Sequence, residues 1–183
     1  MRLKTLLVVL LVMLLVAAPA SAARASAGPH GPQARVGTQS ITEYLIVALH
    51  SGKCLEIGGF SVADGGNAQQ WGCASHNSSQ RWQLVWVGTG YQIVVARSGK
   101  CLDVAGGLTG DGTNVQQWTC LGPYQPNQIW QLVWVGTGYQ IVASHSGKCL
   151  EVGGFSVVDG GNVQQWTCGS QVGSQTWNLS SIY

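Results

Sequence analysis

Residues Cys101–Cys120 read CLDVAGGLTGDGTNVQQWTC, and the chain says nearly the same thing on either side. Cys54–Cys73 is CLEIGGFSVADGGNAQQWGC and Cys149–Cys168 is CLEVGGFSVVDGGNVQQWTC. Outward from these blocks the likeness continues. Each unit opens on Tyr44-Leu-Ile-Val, Tyr91-Gln-Ile-Val or Tyr139-Gln-Ile-Val and passes through Ser-Gly-Lys-Cys-Leu. Each closes on Gln-x-Trp, at Gln80–Trp82, Gln128–Trp130 and Gln175–Trp177. The first cysteines are spaced 47 and then 48 residues apart. A fixed period of this size means that one structural unit is built three times. The segments are short, rich in Val, Ile, Trp and Tyr, and broken by Ser-Gly-Lys, Gly-Thr-Gly and Asp-Gly-Gly, which are strand and hairpin signals. No sustained 3.6-residue apolar period follows residue 40, so the domain is expected to be all-β with about four strands per unit. Three such units would leave open edges unless they close on one another, which predicts one pseudo-threefold barrel.

The N-terminus reads differently. Arg2 and Lys4 precede an unbroken apolar run, Leu6–Ala18, followed by the small-residue patterns Ala20-Ser21-Ala22 and Ala25-Ser26-Ala27. That is the layout of a secretory signal peptide, expected at 1–22 with cleavage as late as 27, and the run is too short for a bilayer span of about 20 residues. Residues 28–40 carry no apolar periodicity and read as a flexible lead-in, with a short propeptide as the alternative; the domain is expected at 41–183, with repeats at about 41–87, 88–135 and 136–183. Of 9 basic residues the leader takes 2, leaving 7 against 7 acidic ones. A formal charge near zero argues against nucleic acid and against anionic membrane surfaces. All 6 cysteines fall within the three blocks. Behind a signal peptide this implies disulfides in an oxidising, extracellular setting. The simplest symmetric set is Cys54–Cys73, Cys101–Cys120 and Cys149–Cys168, each worth about 3 kcal/mol on the chain-entropy model. Zinc would want clustered Cys or Cys/His spacing, which is missing, and nothing calls for another cofactor.

Three units with Cys-Leu-Asp/Glu, an Asp-Gly turn, Gln-Gln-Trp-x-Cys and Gln-x-Trp resemble the ricin-B-type β-trefoil lectins and the related bacterial carbohydrate-binding modules. The resemblance covers essentially all of 41–183. It implies a twelve-stranded β-trefoil with one shallow sugar pocket per unit. It also implies that in the middle unit Asp103 and Asn127 clamp sugar hydroxyls, Trp118 stacks on the ring, Gln116 assists and Gln128 buttresses the clamp. The chemistry is suitable. A carboxylate accepts from two hydroxyls at once through charge-assisted bonds, an amide both gives and accepts, and an aromatic plate meets the apolar C–H face. The outer units offer Glu56, Gln69, Trp71, Ser79 and Gln80, and Glu151, Gln164, Trp166, Ser174 and Gln175. The Gln-x-Trp tryptophans Trp82, Trp130 and Trp177 are assigned to the core, and Trp86 and Trp134 of the repeated strands read as structural. Asp64, Asp111 and Asp159 precede Gly and read as turn formers rather than ligands.

The middle unit stands apart. Where units one and three have Glu56 and Glu151, Phe60 and Phe155, Ser79 and Ser174, and His50 and His145, it has Asp103, Gly107, Asn127 and Arg97. Either the outer pockets bind differently or they are degenerate. The expected function is a secreted, monomeric carbohydrate-binding protein without catalysis, recognising galactose-type sugars or xylan- and arabinan-type wall polysaccharides. The alternative is a protein-binding trefoil such as a protease inhibitor. A glycoside hydrolase fits less well, because it needs two carboxylates across one scissile bond and here one acid of each pair reads as a turn residue.

Overall fold

The computed structural model describes residues 42–170 and 172–182. The expected signal peptide and lead-in lie outside the described residues. Twelve strands run through the domain, four to a repeat. The first repeat holds β1 (Glu43–Ala48), β2 (Cys54–Ile57), β3 (Gly66–Trp71) and β4 (Trp82–Trp86). The second holds β5 (Tyr91–Val95), β6 (Cys101–Val104), β7 (Val115–Trp118) and β8 (Trp130–Trp134). The third holds β9 (Tyr139–Ala143), β10 (Cys149–Val152), β11 (Gly161–Trp166) and β12 (Trp177–Ile182). The first and last strands of each repeat pair antiparallel in the cycle β1–β4–β5–β8–β9–β12 and back to β1, which closes a six-stranded barrel. The inner strands form the hairpins β2–β3, β6–β7 and β10–β11, which meet one another through β3 at one end of the barrel. Closure removes the free edges that separate four-stranded units would carry.

The core repeats with the sequence. Ile46, Ile93 and Ile141, Leu55, Leu102 and Leu150, and Trp82, Trp130 and Trp177 hold equivalent positions in the three repeats and share one core, all fully buried. Each tryptophan donates its indole N–H to a leucine carbonyl, of Leu55, Leu102 and Leu150 respectively, at 3.0 Å. The polar end of each ring is thereby satisfied, and truncating one to Ala would cost on the order of 3–5 kcal/mol.

The row Trp82, Leu84, Trp86 shares one face of β4 by the two-residue period of a strand. Burial declines along it, from closed to half-open to 58% exposed at Trp86, and the same holds for Trp130, Leu132 and Trp134. Trp86 and Trp134, read as structural, are thus not core residues. They run past the buried core, each resting edge-on against a tyrosine, Tyr91 or Tyr139, with ring centroids 5.1 Å apart.

The cysteines join as the symmetric set, with Cα separations of 5.0, 5.0 and 5.1 Å. Two further rings hold the repeats together. The second Gln of each Gln-Gln pair is fully buried and donates to carbonyls of the preceding repeat. Gln117 reaches Ser61 and Ala63, Gln165 reaches Leu108 and Gly110, and Gln70 reaches Ser156 and Val158. The three turn aspartates carry ion pairs of 2.7 Å to the following repeat: Asp64–Lys100, Asp111–Lys148 and Asp159–Lys53. They are turn residues that also weld one repeat to the next.

Candidate functional site

Strand register brings the site together. Glu56 faces Gln69 across the first hairpin, Asp103 faces Gln116 across the second, and Glu151 faces Gln164 across the third. The alternation of a strand then puts Gln69 and Trp71 on one face and Gln70 on the other. The first Gln of each pair and the following Trp thus look outward while the second Gln faces the neighbouring repeat. Trp71, Trp118 and Trp166 are 44%, 39% and 42% exposed, so each hairpin presents an indole to solvent beside a nearly buried carboxylate.

In the middle repeat Asp103 accepts from Gln116 at 3.1 Å on one oxygen, and from Asn127 at 2.9 Å and Gln128 at 3.0 Å on the other. Asn127 and Gln128 are supplied by a short 3-10 turn, Pro126–Gln128. Gln128 has no exposure. It also donates to the Thr119 carbonyl and accepts from the Leu121 N–H, so it holds the carboxylate from behind. Gln80 and Gln175 do the same in the outer repeats, donating to Glu56 and Glu151. Burial raises the Asp103 pKa above the usual carboxylate value, against the opposing pull of the amides of Gln128, Gln116 and Asn127 and of the nearby His145.

The serines do not take the place of Asn127. Ser79 and Ser174 are closed off from solvent, and neither hydroxyl has a hydrogen-bond partner among the described residues. Ser is too short to reach the carboxylate from that backbone position. In the first repeat the missing amide comes from Asn77, which donates to Glu56 at 3.2 Å. The corresponding residue of the third repeat is Val172. Among the described residues, Glu151 receives only Gln164 at 3.3 Å and Gln175. Sequence reasoning missed Asn77. Its only signal was an Asn displaced by two residues in a loop one residue shorter than that of the middle repeat.

Sequence comparison of the repeats also missed that the loop following each carboxylate strand meets the next repeat, and that in the first repeat this contact completes the pocket. Arg97 lies over the Phe60 ring, 5.2 Å from its centroid, and its Nε donates to the Phe60 carbonyl at 2.8 Å. His145 Nε2 bonds the Leu108 carbonyl at 3.0 Å, and His50 Nε2 bonds that of Ser156 at 2.7 Å with its ring edge-on to Phe155. The sets are therefore Glu56/Phe60/Arg97, Asp103/Gly107/His145 and Glu151/Phe155/His50. The three sets are all different. The first is a cleft of about 550 Å³ walled by Phe60, Trp71, His76 and Arg97. The middle one is about 330 Å³, with Gly107 where the first has a phenyl ring.

Fold and site together define a threefold β-trefoil of the lectin type. The chain belongs to the ricin-type beta-trefoil lectin domain family, whose model matches residues 42–177. No curated protein matches the chain. Among solved structures it is similar to a designed threefold-symmetric protein, ThreeFoil, at 42% identity and a TM-score of 0.72, covering 76% of this chain and 99% of that one. It is similar to an exo-beta-1,3-galactanase from Clostridium thermocellum at 35% identity and a TM-score of 0.72, covering 79% of this chain but 31% of that enzyme. The ricin B-like lectin of Macrolepiota procera, solved in complex with lactose, shares the fold at 20% identity, a TM-score of 0.63 and coverage of 77% and 96%.

Proposed function

We propose that the protein is a secreted, non-catalytic lectin whose three clefts each receive a sugar ring, of galactose type or from a plant-wall polysaccharide. One observation carries this reading: every repeat sets a carboxylate, held by buried amides, beside an exposed tryptophan. The carboxylate accepts from two hydroxyls while the indole covers the C–H face. Three disulfides and the apolar leader support an extracellular setting. Retention of the acid, the opposing Gln and the Trp in all three repeats favours three working sites over one. Single pockets this open should bind near millimolar, about 4 kcal/mol, and gain on a polymer through multivalency. The test is calorimetric titration with galactose, lactose and xylo-oligosaccharides, with and without Asp103→Asn. Asn preserves the shape and an acceptor oxygen for Asn127 and Gln128, while Gln116 can turn its amide to meet the new donor. The expected result is a loss of one site of three. Absence of binding to every sugar by folded protein would refute the reading.

A further inference from the structure

We infer that the first cleft selects a sugar bearing a carboxylate, a hexuronic acid, while the middle cleft takes neutral sugars. The inference rests on the lectin reading and names the ligand class of one of its sites. Arg97 lines the first cleft, is exposed and, among the described residues, spends only its Nε–H, on the Phe60 carbonyl. It forms no ion pair with any of the 7 carboxylate side chains, all of which lie within the described residues. The guanidinium is thus fixed at its inner end, stacked on a ring, and left with its terminal N–H groups unengaged. Such a planar fork suits a carboxylate in a two-point contact, which an ammonium or an imidazole cannot reproduce. His76 borders the same cleft.

The middle cleft has no cationic residue in its lining, which runs from Asp103 and Gly107 to Leu121, Gln125 and Asn127. The histidines that stand where Arg97 does differ in the same sense. Each points Nε2 at a backbone carbonyl, so its one neutral-state donor is used, and its Nδ1 is buried without a partner among the described residues. The backbone adds a second observation. Phe60 sits at φ 53°, the left-handed region, as does Phe155 at φ 55° against His50, where the middle repeat has Gly107 at φ 63°. A bulky residue held there is a local strain that the fold alone does not require, since Gly serves the same turn next door. Phe60 supplies the surface on which Arg97 is laid. Glu56 sets the ligand's orientation. An anion near it would be repelled, so the ring must give its hydroxyls to Glu56 and its carboxylate to Arg97.

The indole N–H signals of Trp71, Trp118 and Trp166 report the three sites separately in heteronuclear NMR. The full-length mature protein would be titrated with methyl galactoside, methyl galacturonoside and galactose 6-sulfate at low salt. The expected result is a preference for the uronate of about five- to tenfold at Trp71 and about onefold at Trp118, weakening as salt is added. Arg97→His should bring the Trp71 ratio down to about one. His50→Arg should raise the Trp166 ratio, a gain that no folding defect can imitate. Equal ratios at all three indoles would overturn the inference and leave a neutral-sugar lectin standing. Sulfate binding as tight as uronate at Trp71 would overturn the planar-carboxylate assignment. Shifts with no sugar at all would overturn the lectin reading beneath it.

Discussion

Replacing Phe60 by Gly separates a residue kept for binding from one kept for folding. Phe60 is 59% exposed, so it gives up less than half of a phenyl burial, about 1 kcal/mol, together with a surface cation–π contact of about 0.5 kcal/mol. Gly adds unfolded-chain entropy worth about 0.5–1 kcal/mol. Against these, the substitution releases the left-handed strain of φ 53°, roughly 1–2 kcal/mol. The terms nearly cancel. Phe60→Gly should therefore lower stability by no more than about 1.5 kcal/mol, a Tm change within about 6 °C. Sugar affinity at the first cleft should nevertheless fall about fivefold, because one wall is gone. Gly107→Phe is the control of opposite sign. A Cβ there would meet only Asn127 at ordinary contact distance, so the cost is the strain itself, about 1–2 kcal/mol. Thermal denaturation followed by circular dichroism reads stability, and titration followed at the Trp71 indole reads the site. A loss above about 3 kcal/mol in Phe60→Gly would refute the reasoning, since it would make Phe60 a core residue. So would an unchanged Kd at the first cleft.

Acid should act on the site before it acts on the repeat-to-repeat ion pairs. On the proposed lectin reading sugar hydroxyls bind the Asp103 carboxylate, whose pKa burial raises, so middle-site affinity should be lost as pH falls through a range above that of ordinary carboxylates. Because the native state holds this proton more tightly than the unfolded chain, Asp103 ionisation itself lowers stability as pH rises through the same range. Asp64, Asp111 and Asp159 behave oppositely. Hydrogen bonds from Lys100, Lys148 and Lys53 hold their pKa values below the ordinary range, so their contribution is present above it and lost as pH falls through the lowered values. Titrations and melts between neutral pH and pH 3 check both signs. Lys148→Ala should lower Tm slightly at low ionic strength and not at high salt, since an exposed pair is screened; a salt-independent loss would mean the lysine stem, not its charge, matters. Replacing Cys101 and Cys120 together by Ala opens a loop with a sequence separation of 19 and should cost about 3 kcal/mol in denaturant unfolding, with the other two repeats still bridged.

What the sequence determined by itself was everything the threefold repetition carries. The period, the paired cysteines, the two-residue alternation around Gln-Gln-Trp and the buried Gln-x-Trp tryptophans are local signals repeated three times, so accidents in one copy are corrected by the others. The carboxylates Glu56, Asp103 and Glu151 and the indoles Trp71, Trp118 and Trp166 were legible for the same reason, being fixed by strand register within one hairpin. The tertiary structure decided what crosses from one repeat to the next. Arg97 belongs to the second repeat in sequence and to the first pocket in space, so comparing each repeat with itself could not assign it. Asn77 replaced a lost amide from a shifted position because a loop has no fixed period. Trp86 and Trp134 shared the core-facing row of their strands and still emerged into solvent, because only the closed barrel determines how far along each strand the core extends.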